Sequence, residues 1–308
     1  MTRRIGNLFA FSFLLLLFGA FVQVTHAQSS NKLDDLVEVA VPDRIATGFR
    51  FTEGPVWHPA GYLLFSDIYG NSIYKWTPDG QVSIVRSPSG DANGLTLDMQ
   101  GRLISCEQSN RQVSLTESDS RIVTLASRYE GKRLNCPNDV VVKSDGCVYF
   151  TDPPYGSKIE LTFAGVYRIL PDQNGLELLV RDIPTPNGLA FSPDEKVLYI
   201  SNTDGMNILA FDVLPNGSLA NRRVFITIVG SPDGMKVDIK GNLYVAANMS
   251  AVSVYDNKGR HIGDIAVPEA TTNCTFGGPD KRTLFITAGK SVYRVKMKVE
   301  GVATRESR

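Results

Sequence analysis

Two carboxylates and four carboxamides, Glu53, Asn93, Asn138, Asn187, Asp233 and Asn273, recur at steps of 40, 45, 49, 46 and 40 residues along this 308-residue chain. Each carries a side-chain oxygen. If the fold gathers six such groups at one point, acceptors are left unpaired unless water or an ion sits among them. A hard divalent cation such as calcium takes about 6 to 8 oxygens at roughly 2.3–2.6 Å, so this donor set suits it. The carboxylates of Glu53 and Asp233 would also balance its charge. The bland alternative, that Asn, Asp and Gly are merely good strand-entry and turn residues, explains the residue types but not the oxygen at every copy. Calcium is therefore the metal expected, with zinc, manganese or magnesium as other occupants of an oxygen-rich site.

Other chemistries are poorly supplied. The histidines are His26, His58 and His261, and neither of the latter two shares a repeat position with a candidate nucleophile, which argues against Ser-His-Asp or Cys-His catalysis and against a zinc centre. A phosphate-binding loop or dinucleotide glycine pattern is not found in a strand-to-helix setting. Lys and Arg number 32 against 32 Asp and Glu, a balance that gives no electrostatic reason to expect nucleic acid or an anionic membrane as partner.

The elements that would position the six oxygens can be read from the same repeat. Each opening residue begins a strand–turn–strand phrase: EGPVWHPAGYLLFSD, NGLTLDMQGRLISCE, NDVVVKSDGCVYFTD, NGLAFSPDEKVLYISN, DGMKVDIKGNLYVAAN and NCTFGGPDKRTLFITA. Apolar residues fall at the second and fourth following positions (Leu95 and Leu97, Val140 and Val142, Leu189 and Phe191), the period of a strand with a buried face. A turn bearing Gly or Asp follows, then a second apolar run. The remaining stretch of each unit holds two more strand-like runs, such as IYKW and VSIV in the first and ILAFDV and RVFITI in the fourth. Six units of four strands predict an all-β, six-bladed propeller with the opening residues ringing one mouth of its axial channel. The sixth unit lacks a strand after SVYRVKMKV, and the unpartnered VEVAVPDRIATGF (37–49) is expected to supply it, closing the ring with an N-terminal strand and removing an open sheet edge.

Residues 1–27 read as a cleaved signal peptide: a basic MTRR, an apolar stretch of fifteen residues too short to span a bilayer, and small residues before Gln28. The expectation is an exported, periplasmic or extracellular protein with 28–308 as one propeller domain and no membrane attachment after cleavage. Export would permit disulfides, yet the repeat puts Cys136 and Cys274 on opposite sides of the ring and Cys106 and Cys147 at different depths. Buried free thiols are expected, a Cys106–Cys147 bridge being disfavoured.

The phrases EGPVWHPAG, GKRLNCPNDVVVKSDGCVYFTDPPYG, PNGLAFSPDEKVLYISN and SPDGMKVD resemble the motifs of the SMP-30/gluconolactonase/luciferin-regenerating family from about residue 40 to 295. That resemblance implies a six-bladed propeller that binds one divalent metal, usually calcium, and hydrolyses lactones or related esters. It places Glu53, Asn187 and Asp233 on metal-ligand positions, Asn138 on a position that binds metal or substrate, and Asp233 on the general base. The position two residues before Asn138, an Arg in some members that holds a sugar acid, is Cys136 here, with Arg133 nearby as a substitute. Asn93 and Asn273 complete the ring and are expected to bind water or substrate, and Tyr155 in the DPPYG turn to line the mouth. Of the glycosylation sequons at Asn216, Asn248 and Asn273, Asn216 alone reads as exposed. The partner is thus a small lactone or ester. A non-catalytic binding propeller and a strictosidine-synthase-like propeller are the alternatives; calcium-dependent turnover separates the first, and the intact metal set weighs against the second. Oligomeric state is not legible in these residues.

Overall fold

The computed structural model describes residues 33–39, 41–156, 158–171 and 175–302; the signal-peptide reading of 1–27 lies outside them. The described residues form six four-stranded antiparallel sheets arranged as a propeller. Blade 1 is Thr52–His58, Tyr62–Asp67, Ser72–Trp76 and Val82–Arg86, and blade 2 is Ala92–Leu97, Leu103–Glu107, Gln112–Thr116 and Ile122–Ala126. Val140–Val142, Val148–Asp152, Gly165–Ile169 and Leu176–Val180 make blade 3; Pro186–Phe191, Val197–Asn202, Asn207–Val213 and Leu219–Thr227 make blade 4. Blade 5 is Met235–Val237, Leu243–Ala246, Ala251–Tyr255 and His261–Ala266. Blade 6 is Thr271–Gly277, Thr283–Ala288 and Ser291–Lys296, completed by the N-terminal Asp43–Thr47, which pairs antiparallel with Ser291–Lys296. The expected closure is therefore observed, although the strand is shorter than the 37–49 run.

Burial follows strand order. The inner strands Ala92–Leu97 and Pro186–Phe191 are buried throughout, being covered by neighbouring blades on both faces, whereas the outermost Val82–Arg86 is largely exposed. Apolar side chains between blades make the ring cohesive: Ile104 and Val113 of blade 2 pack with Phe150 and Tyr167 of blade 3. At the closure, Leu63, Phe65 and Trp76 of blade 1 pack on Phe285 and Val292 of blade 6, with the Trp57 and Phe285 rings stacked at 5.2 Å. Such contacts between the first and last blades span the chain, so ring integrity depends on them.

The SVYRVKMKV run does not stay in the blade to Val299. Its strand ends at Lys296, and the chain crosses below blade 5, where Gly301 bridges Asp238 and the Val302 amide donates to the Val237 carbonyl at 3.1 Å. Val302 helps to line a pocket of about 100 Å³ at the foot of the channel, where apolar Leu97, Val142, Phe191, Val237 and Phe276 alternate with Thr96, Ser192, Glu195 and Lys236.

Candidate functional site

All six opening side chains are buried at the same end of the channel, Glu53 at 3% exposure and Asp233 at 8%. Regular strand geometry would not bring them there. The ladder shifts register between Glu53 and Val56, Ala92 and Leu95, Pro186 and Leu189, and Thr271 and Asn273, while Asn138 and Asp233 precede their strands altogether. Irregularity at these strand entries re-aims the side chains, as β-bulges beside sites commonly do.

Two further devices fix the ring. A hydroxyl from the second strand of one blade reaches the carbonyl of the next blade's opening residue: Ser66 to Asn93 at 2.6 Å, Thr151 to Asn187 at 2.7 Å and Ser201 to Asp233 at 2.8 Å. The glycine after an opening residue lets the next blade come close. A Cβ on Gly54, whose φ is +50°, would lie 2.0 Å from the Asn93 carbonyl oxygen, and one on Gly188 would lie 2.2 Å from that of Asp233 and 2.7 Å from Gly234 Cα. Backbone meets backbone at Gly188, so no rotamer relieves the clash. Gly188→Ala is expected to force blades 4 and 5 apart and cost about 1–3 kcal/mol, the usual range for overpacking. A urea midpoint matching wild type would show that this approach is not required.

Charge at the site is unbalanced. Burial pushes the Glu53 carboxyl well above its usual range, and the charges of Asp233 and Asp139 push it further, against hydrogen bonds from Gly54 N–H and from Asn273 Nδ2 at 3.0 Å. Burial likewise raises Asp233 to about 7; bonds from Asn248 and Asn187 act the other way, and Asp139 adds to the rise. Asp139 is itself raised by burial, opposed by the Lys236 cation and by hydrogen bonds. Asp139 Oδ1 accepts from the Val140 amide at 2.9 Å, whereas Oδ2 is buried without a partner. The buried charges of Asp233 and Asp139 thus both act on Glu53, with Lys236 as the cation acting on Asp139. Carboxylate and amide oxygens in that state are a hard-cation donor set, and a divalent ion bound by Glu53 and Asp233 would relieve the repulsion.

Asn187 lies against Asp233, and its Nδ2 donates to Tyr155 Oη at 3.4 Å and Thr203 Oγ1 at 3.3 Å. Tyr155 is thus at the mouth. Thr203 is anchored in turn through its hydroxyl to the Pro232 carbonyl at 2.8 Å. Asn138 and Asn93 lie in the ring, where the Gly94 amide donates to the Asn138 carbonyl at 2.8 Å. Arg133 donates from Nη2 to the Asn110 carbonyl and from its amide to Glu160 at 2.9 Å, while its Nε is buried without a protein partner. Cys136 is a buried thiol pushed by desolvation up to about 12, with its amide held by Asp152 at 2.7 Å. All four cysteines are free and buried.

Some site residues escaped the sequence reading. Asp139 stands where four copies of the repeat have Gly, so the departure from the repeat was the available signal. Asn248 is exposed, contrary to the expectation that Asn216 alone would be, and its Nδ2 donates to Asp233 Oδ2 at 3.2 Å. Nothing in its sequence context announced that contact, which arises because the loop after Ala246 folds back over the strand entry. Lys236 is the second residue after Gly234 in sequence but acts on Asp139 two blades away.

Comparison with known proteins places this geometry. A sequence model described as the SMP-30/gluconolactonase/LRE-like region matches residues 51–290. A gluconolactonase of Zymomonas mobilis is 36% identical, covering 88% of this chain and 86% of that protein. The structure of a gluconolactonase from Xanthomonas campestris superposes with a TM-score of 0.79 at 36% identity, over 82% of this chain and 88% of the other. At 21% identity, a calcium-binding regucalcin of Agrobacterium tumefaciens has a TM-score of 0.74 over 89% of this chain and 97% of its own, which is a likeness of fold.

Proposed function

The chain belongs to the SMP-30/gluconolactonase/LRE-like family, and from that premise we propose that it hydrolyses lactones with the help of a divalent cation, calcium first, held by Glu53, Asn187 and Asp233 with Asn138 beside them. The chain is a lactone-hydrolysing enzyme that acts on ester bonds, and its substrate is a small lactone. The observation that carries the metal reading is the joint burial of Glu53 and Asp233, each raised by desolvation, against the amides of Asn187 and Asn273.

A cation in this position supplies polarisation of the lactone carbonyl and stabilisation of the oxyanion. Asp233 accepts the proton of the attacking water. Its orientation comes from Asn248 on Oδ2 and from Asn187, which Tyr155 and Thr203 hold in place. Asn93 and Asn138 present amides to the ring and ester oxygens, and Tyr155 offers its hydroxyl at the rim. The burial of Glu53, Asn187 and Asp233 puts these groups in a medium where charge interactions are stronger than in water. Arg133 gives Nη2 to the Asn110 carbonyl, which leaves its Nε as the donor it could offer a substrate.

Chelation and single-metal restoration test the reading. Hydrolysis of a lactone panel, followed by pH-stat, is expected to fall at least about a hundredfold after treatment with chelator and to return with calcium. Full activity in the presence of chelator, at metal concentrations verified as negligible, would remove the cation from the mechanism.

A further inference from the structure

We propose that the preferred substrates are lactones bearing an alkyl or aryl substituent on the ring rather than polyhydroxylated sugar lactones. The inference rests on the lactonase reading and concerns the rim of the same site. Above the strand entries, blades 3 to 5 present four large apolar side chains to solvent: Tyr155, Met206, Val229 and Met249, at 45%, 54%, 83% and 48% exposure. Single exposed apolar residues are ordinary on protein surfaces. These four form an arc.

Hydrogen bonds and a close approach at Gly230 place the segments that carry them side by side, from Asn187 round to Asp233. Tyr155 Oη meets both Asn187 and Thr203. The loop from Thr203 leads to Met206, whose carbonyl accepts from the Ile228 amide at 2.9 Å and so sets Val229 alongside. Met249 then folds over Gly230, where a Cβ would lie 2.8 Å from its Cγ. Its neighbour Asn248 bonds Asp233. The arc thus begins beside one candidate metal ligand and ends beside the other. Asp204 and Asn248 are polar interruptions of it, the second of them committed to Asp233.

The opposite arc offers a sugar lactone the amides of Asn93 and Asn138, but its arginines are partly engaged by the protein. Arg111 donates to the Leu134 carbonyl and to Glu160, and Arg133 gives Nη2 to the Asn110 carbonyl while its Nε is buried without a protein partner. Cys136 is a neutral thiol with burial holding it protonated. A substrate with a hydroxyl on each ring carbon would lay several of them against Met and Val side chains that cannot pair with them, which is unfavourable. An alkyl or aryl group laid on the same side chains leaves water at no such cost.

The experiment compares glucono-δ-lactone with δ-valerolactone and its 5-alkyl derivatives of increasing chain length, in the calcium-loaded enzyme. Each methylene that reaches the arc is expected to raise kcat/KM about fourfold, the equivalent of ~0.8 kcal/mol, until the arc is covered. Met206→Ser, Val229→Ser and Met249→Ser, singly and together, are expected to flatten that slope. A purely structural effect would instead lower every lactone by one factor and leave the slope intact, and that result would overturn the assignment. A flat wild-type series with glucono-δ-lactone preferred would overturn the inference while leaving the hydrolase standing. Failure to open any lactone would overturn both.

Discussion

Asp233→Asn is expected to lower kcat/KM for lactone hydrolysis by at least about a thousandfold while leaving the protein folded. General base catalysis alone contributes about 10²–10⁴. The same substitution removes one of the two anionic oxygens proposed for the cation, so calcium affinity should fall as well. The fold should tolerate it because the amide is nearly isosteric, and Asn248 Nδ2 can still donate to the remaining oxygen. Near wild-type turnover in this variant would defeat the assignment of Asp233.

Glu53→Gln is expected to produce opposite effects in the two metal states. Without metal, Glu53 is a desolvated carboxylate repelled by Asp233 and Asp139, so removing its charge should stabilise the metal-free protein at pH 8. With metal, the variant should lose most of the calcium-dependent rise in melting temperature, because a ligand that binds only the folded state stabilises it in proportion to the logarithm of its affinity. The pH dependence follows from the direction of the shifts. Asp233 titrates near 7 in the metal-free fold, well above the ~3.9 of an unfolded Asp. Its contribution to stability is therefore present in full below about pH 4 and is lost as pH rises through 7. Glu53 is displaced in the same direction, so the variant should show a shallower loss over that window. Calorimetry at pH 5 and pH 8, with and without calcium, reads both effects; an unchanged calcium shift in the variant would exclude Glu53 as a ligand.

Much of this was legible in the residues. The repeat of Glu53, Asn93, Asn138, Asn187, Asp233 and Asn273 gave blade number and the mouth, because strand periodicity and turn chemistry are local and recur with each unit. Strand ends were less legible. The run through Val299 keeps its alternation past Lys296, and only the bridge of Gly301 to Asp238 shows the chain leaving the blade. The third carboxylate was hidden for a related reason: Asp139 looks like a turn residue until Oδ2 is found buried without a partner. Arg133 is a different case, a cation near the motif in sequence whose bond from Nη2 to the Asn110 carbonyl no local pattern announced.

By itself the sequence determined which oxygens exist and how often they return, since composition and spacing are properties of the chain alone. The tertiary structure decided which charges meet. Glu53, Asp139 and Asp233 lie 86 and 94 residues apart in order, and the repulsion of Glu53 by the other two, the field of Lys236 and the apolar arc from Tyr155 to Met249 come into being only when the blades gather round one channel. Electrostatic interaction and desolvation depend on distance through space and on what excludes water, and neither quantity is carried by sequence separation.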